Sequence, residues 1–216
     1  MQRKSGEIKS SPAQIIREFG PFPDSEQVHG VTFDGESVWF ASTDHLQAFN
    51  PETGETGKRL ELSANAGTAF DGRHLYQLAG ARIHKLDPKT GEIVASLPAP
   101  EGGAGLTWAE GSLWVGQHRQ RRVLQIDAET GEILRTLESP RFVTGVTWLQ
   151  NELWYGTWEA GTSDLRHVDS ESGELLEEVT MPEGTYVSGL ESNGRDVFYC
   201  GGATDGKVRA VRRPKR

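Results

Sequence analysis

Gly30, Gly67, Gly105 and Gly145 each begin the same short run, a glycine followed by an apolar, a small and an aromatic residue: GVTF, GTAF, GLTW and GVTW. A fifth, altered version, GLES, begins at Gly189. Successive glycines lie 37, 38, 40 and 44 residues apart. A period near forty restricts a chain to architectures in which one supersecondary unit is copied and stacked. The content of the period then decides which one. After the glycine run and a tight turn comes an aromatic segment: VWFAS, LYQLA, LWVGQ, LWYGT or VFYCG. A third segment alternates apolar and polar residues, as in IHKLD and VLQID, which is the pattern of a strand with one wetter face. It runs into NPETGE, DPKTGE, DAETGE or DSESGE, where Asn or Asp starts a turn and Gly accepts a positive φ. An outer segment such as KRLEL, IVASL or ILRTL follows. Four short antiparallel strands per period are the blade of a β-propeller.

The chain has 216 residues, room for five such periods. The fifth lacks its outer strand, and QIIREF, residues 14–19, supplies a matching segment ahead of the first glycine. The expected fold is therefore all-β: a single five-bladed β-propeller whose ring is closed when the N-terminal strand 14–19 completes the last blade, a closure that removes the exposed strand edges of an open array. An open solenoid and a β-sandwich are the minor alternatives. Residues 1–13 are expected to be a flexible extension, 14–211 the propeller, and 212–216 a basic, solvated tail. The large aromatics at equivalent positions, Trp39, Tyr76, Trp114, Trp154 and Phe198 on second strands and Phe33, Phe70, Trp108 and Trp148 on first strands, are expected to fill the wedges between blades.

A net charge of −8 disfavours nucleic acid and anionic membrane as partners, since both call for a basic surface. A single cysteine, Cys200, forms no internal disulfide, and no apolar stretch is long enough for a signal peptide or a span. The expectation is a cytoplasmic monomer.

Five repeats supply an internal control, because positions that merely build a blade should look alike and recruited positions should break the pattern. On the first strand, Glu191 occupies the place of Thr32, Ala69, Thr107 and Thr147. A carboxylate lining a narrow channel loses water, its pKa rises, and it becomes suited to exchange protons near neutrality. Immediately before the glycines stand His29, Ala66, Ala104, Thr144 and Ser188. His29 is the titratable member and pairs with Glu191 in the expected acid/base site at the channel mouth. The loops after the second strands add Gln117, His118, Arg119, Trp158, Glu159 and Asp164, with Arg121 and Arg122 read as solvated. Trp158 beside Glu159 offers an aromatic wall and an acid, fit for an amine or cation. Cys200 occupies a place that is small in most blades, either as a packing residue or, with His29 as base, as a nucleophile. The expected catalytic residues are Glu191, His29 and Glu159. Trp158, Gln117, His118, Arg119, Thr144, Ser188 and Cys200 are the expected substrate contacts. No metal-ligand spacing, phosphate loop or nucleophile elbow is present in the sequence. No cofactor is expected, and a divalent metal in the channel is left open.

The blades GLTWAEGSLWVGQHRQRRVLQIDAETGEILRTL and GVTWLQNELWYGTWEAGTSDLRHVDSESGELLEEV resemble bacterial propellers of the glutamine cyclotransferase-like group and, more distantly, streptogramin lyase repeats. The first resemblance implies metal-independent cyclisation of an N-terminal glutamine with loss of ammonia, with Glu191 or Glu159 as the proton carrier and Trp158 in the pocket wall. The second implies a histidine base and a divalent metal, with His29, His118 and Glu191 as the available ligands. The expected function is a small-molecule or peptide-end enzyme of lyase or cyclotransferase type; the alternative is a non-catalytic ligand- or protein-binding propeller.

Overall fold

In the computed structural model, which describes residues 8–215, the chain forms a ring of five antiparallel sheets. Blade one runs from the inside outwards through Val31–Phe33, Val38–Ser42, His45–Phe49 and Thr56–Glu61. Blade two uses Thr68–Phe70, Leu75–Ala79, Arg82–Leu86 and Ile93–Pro98, and blade three Gly103–Ala109, Ser112–Gln117, Arg122–Asp127 and Ile133–Glu138. Blade four uses Val143–Leu149, Glu152–Thr157, Asp164–Val168 and Leu175–Thr180. Blade five joins the two ends of the chain: Leu190–Ser192, Val197–Gly201 and Val208–Arg212 are completed by Gln14–Phe19. Gln14 pairs with Arg212 and Phe19 with Val208, as the repeat pattern requires.

The turns explain the register. In four blades the Asn or Asp that ends the third strand, Asn50, Asp87, Asp127 or Asp169, accepts the N–H groups two and three residues on through its side chain. The glycine four residues on, from Gly54 to Gly173, has a φ between +75 and +82°, a conformation that favours glycine. The outer strand is thereby fixed against the third.

Between blades the aromatic positions meet as expected. Tyr76 of blade two stacks on Trp108 of blade three at 5.5 Å, and Trp114 of blade three on Trp148 of blade four at 5.4 Å. Blade five has Ser192 where the others carry Phe or Trp, and there Trp154 packs on Phe198 at 5.0 Å instead. Each fully buried large side chain contributes about 1.5–3 kcal/mol, so these wedges are a main source of the ring's stability.

Both ends depart from the sequence reading. Lys9–Pro12 is a strand that pairs in parallel with the outer strand of blade four, Lys9 opposite Glu177 and Pro12 opposite Thr180. The segment 9–19 thus straps blade four to blade five, so residues 9–12 are not the flexible extension expected of 1–13; residues 1–7 lie outside the described ones. At the other end Arg213 is no solvated tail residue, because its guanidinium donates to Gln150 Oε1 at 2.9 Å and to Glu152 Oε2 at 2.6 Å.

Candidate functional site at the propeller mouth

The five repeat glycines form a ring about the axis. A Cβ placed on Gly30 would lie 2.5 Å from Ala66 O and 2.7 Å from Thr68 N, and one on Gly189 would lie 2.7 Å from Val31 N and 2.8 Å from His29 O. Gly67 faces Gly105 and Leu106, Gly105 faces Gly145, and Gly145 faces Gly189 and Leu190 in the same manner. All of these neighbours are backbone or Cβ atoms that have little freedom to move, so glycine is required here for close approach. The inner strands are therefore in close backbone approach at this ring, which lies along each strand between the pre-glycine residue and the residue two past the glycine.

Glu191, two residues past its glycine, is buried on the inner side. Its Oε2 accepts the Thr32 hydroxyl at 3.0 Å; its Oε1 accepts the Ser192 N–H at 2.8 Å and the Thr147 hydroxyl. Burial pushes its pKa up to about 7, against the lowering effect of the bonds from Thr147, Ser192 and Thr32. The carboxyl is thus half-protonated near neutrality, with both oxygens occupied by blades one, four and five.

On the outer side lies a pocket of about 230 Å³. All five pre-glycine residues, His29, Ala66, Ala104, Thr144 and Ser188, line it, joined by Asn65, Gly103, His118 and Tyr186. His29 stands 3.4 Å from Thr43 Oγ1 through Nε2, and burial lowers its pKa. The His118 ring stacks on Phe142 at 4.9 Å; burial, then the charge of Arg119, lowers its pKa as well. Both imidazoles are therefore neutral bases at neutral pH. The hydroxyl of Thr144 and Nε2 of His118 are buried without a hydrogen-bond partner among the described residues, a cost a ligand would relieve. Ser188 is already committed, donating to Val28 O at 2.5 Å and accepting from Ala203 N at 3.1 Å.

The structure brings His29, His118, Thr144 and Ser188 together but not His29 and Glu191, which lie on opposite sides of the glycine ring. The expected ligand set His29, His118 and Glu191 is not assembled, and among the described residues no group of three His, Cys, Asp or Glu side chains converges. Trp158 packs on Tyr186 at 4.4 Å beside the pocket. Glu159 is held by Arg121 at 2.5 Å, and Arg121 also lies 4.3 Å over Phe142, so Arg121 is a structural cation rather than a solvated one. Asp164 is buried between Arg166 at 2.8 Å and Arg141 at 3.3 Å, with the Thr157 hydroxyl at 2.7 Å, inside the blade rather than at the rim. Gln117 donates to Glu101 O at 2.6 Å and Arg119 is exposed; neither lines the pocket. Cys200 needs correction as a ligand contact: it is fully buried among Leu190, Phe198 and Val211, and burial pushes its thiol up to about 12, so it packs a blade and stays protonated. Phe142 and Tyr186, three residues before their repeat glycines, and Asn65, two before its own, lie upstream of the single pre-glycine position at which the repeats were compared.

A protein-family model described as outer membrane protein assembly factor BamB matches residues 42–213. The chain belongs to that family. Among solved structures, this BamB-family chain is similar to the glutaminyl cyclase of Myxococcus xanthus, with a TM-score of 0.80 and 15% identity over 95% of this chain and 98% of that one. It is also similar to the Cps50 (Swd1) β-propeller domain of Myceliophteria thermophila, with a TM-score of 0.59 and 12% identity over 94% and 100% of the two chains. At such identities the likeness establishes a common fold, and the glutamine cyclotransferase resemblance holds at that level. No curated protein matches the chain in sequence. No helix among the described residues is long and apolar enough to cross a membrane.

Proposed function

We propose that the BamB-family chain is a small-molecule or peptide-end enzyme of cyclotransferase or lyase type, working in the mouth pocket. The observation that carries this reading is the convergence there of two neutral imidazoles, one with its Nε2 unpartnered among the described residues, and the likewise unpartnered hydroxyl of Thr144. In a cyclotransfer the amine of an N-terminal glutamine bonds to its own side-chain amide carbon, and ammonia departs. His29 or His118 takes the amine's proton as the new C–N bond forms and returns it to the departing nitrogen. The Thr144 hydroxyl orients the amide, and the Trp158–Tyr186 pair packs against the rest of the peptide end. Glu191, fully engaged behind the glycine ring, fixes the blades that shape the pocket. The similarity to a glutaminyl cyclase supports the choice of substrate. As parts of the same proposal the chain is a cytoplasmic monomer that takes a small molecule or peptide N-terminus, with neither nucleic acid nor membrane.

The test is ammonia release from a peptide beginning with glutamine. Wild type should turn it over, and His29→Ala or His118→Ala should lower the rate by roughly 10²-fold or more, while Glu191→Gln retains it. Full activity in both histidine variants overturns the assignment. Binding of the peptide without release of ammonia favours the second reading, a non-catalytic propeller, which the family description and the exposed pairs Ile93–Val94 and Ile133–Leu134 on outer strands support.

A further inference from the structure

Away from the channel, the loop between Phe19 and Val28 lays Ser25 over the third strand of blade one. The loop is pinned by Phe22, whose ring stacks on Phe40 at 4.4 Å and meets Phe49 at 5.1 Å. Under it lies His45, fully buried, where the other blades have Arg82, Arg122, Asp164 and Lys207. The Ser25 hydroxyl is 2.9 Å from His45 Nε2, and His45 Nδ1 is 2.7 Å from Asp44 Oδ1. Asp44 is largely exposed, with 76% of its side chain accessible, and its hydrogen bond to His45 holds its carboxyl below the usual range. An ionised carboxylate on Nδ1 fixes the proton there, so Nε2 carries the lone pair that accepts the Ser25 hydroxyl.

We propose that Ser25, His45 and Asp44 form a serine nucleophile with its base and orienting acid, a second site that acts on small acyl esters bearing a positive charge. Nucleophile, base and orienter are joined in the order such a relay requires, whatever their order in the chain. Ser25 lines a cleft of about 490 Å³ together with Pro21, Phe22, Asp24, Glu26 and Asp205, a volume suited to a small ligand. Asp205 is paired with Arg209; the exposed carboxylates of Asp24 and Glu26 select a cation and the Phe22–Pro21 wall an apolar stem. In the reaction Ser25 Oγ bonds to the acyl carbon and its proton passes to His45 Nε2. The ester C–O bond then breaks and the departing alcohol takes that proton. Water next attacks the acyl-serine by the same route, releasing the acid and restoring Ser25. The Glu26 N–H, next to the nucleophile, donates to no carbonyl among the described residues and is the candidate donor to the developing oxyanion.

The experiment uses the full chain and a fluorophosphonate, with mass analysis of the peptide containing Ser25. A single adduct on Ser25 is expected, absent from Ser25→Ala. Because Asp44 is exposed, Asp44→Asn should fold normally, with unchanged urea unfolding, yet label at least about tenfold more slowly; Asp44→Glu should recover part of the rate. No adduct on Ser25, or Asp44→Asn labelling at the wild-type rate, shows a purely structural hydrogen bond and overturns the proposal. Hydrolysis of a choline ester faster than of its uncharged analogue is expected, and the reverse preference overturns the substrate class. The mouth histidines are untouched by these variants, so the outcome is independent of the reading above.

Discussion

The two sides of the glycine ring treat polar atoms in opposite ways. Inside, Glu191 is buried with every oxygen bonded to a hydroxyl or N–H from three blades. Outside, Thr144 and His118 keep a hydroxyl and a ring nitrogen without partners among the described residues. Burying a polar group without a partner costs about 1–3 kcal/mol, a cost that a ligand in the pocket would offset. The contrast teaches that the residue that most visibly breaks a repeat need not be one that lines the mouth pocket. Glu191 breaks the pattern to tie the ring together; Thr144, which looks like an ordinary blade residue, is left open to the mouth.

The most damaging way to break this comparison is to breach the ring. Gly30→Ala puts a methyl group against Ala66 O and Thr68 N, backbone that has nowhere to go. A loss of about 3 kcal/mol or more is expected in urea unfolding, and an unchanged midpoint would show that the ring is looser than described.

Glu191 gives the next effect, and its sign follows from linkage. Its pKa is raised in the folded chain from 4.5 to about 7, so between those values the folded state binds the proton and the unfolded state does not. Stability from this group is present below about pH 4.5 and is lost as the pH rises towards 7, by about 3 kcal/mol. Glu191→Gln removes that dependence. Unfolding midpoints of wild type and variant should diverge as the pH climbs from 4.5 to 7, and parallel curves would mean that the carboxyl has an ordinary pKa.

On the outer side, Thr144→Val should leave stability unchanged or slightly higher, because it deletes an unpartnered hydroxyl, while weakening substrate binding by about tenfold. A stability loss above about 1 kcal/mol would show that Thr144 has a partner after all. The smallest effect tests the same logic within a wedge. Trp154 Nε1 donates to Glu152 at 2.9 Å, whereas Trp114 Nε1 is buried without a partner. Trp154→Phe should therefore cost about 1 kcal/mol more than Trp114→Phe in thermal or urea unfolding.

The fold was legible because it is written five times. The Asn/Asp-to-Gly turns set each hairpin, the glycine runs mark each inner strand, and QIIREF matches the outer strand that the last blade lacks. Glu191 was legible as an exception for the same reason. Its separation from His29 was not, since it depends on how closely five glycines approach one another, which no single repeat encodes. Lys9–Pro12 was hidden because KSSP has no strand periodicity and pairs with residues far along the chain. The Ser25–His45 contact likewise depends on a loop that only the packing of Phe22 on Phe40 and Phe49 positions. Repetition exposes the scaffold, while features assembled from unique loops carry no internal reference.

The pairing of Gln14–Phe19 with Val208–Arg212 has a temporal meaning. A ribosome makes one of these strands before the first four blades and the other only after them. Until then the early strand has no sheet to join, and Lys9–Pro12 must wait for blade four as well. Blades one to four can form in order as they emerge, but ring closure is a late, long-range event of the kind that slows folding and leaves edges exposed. Until Val208–Arg212 has emerged the blades form an open crescent with an unpaired early strand, and the ring closes only once that strand is available.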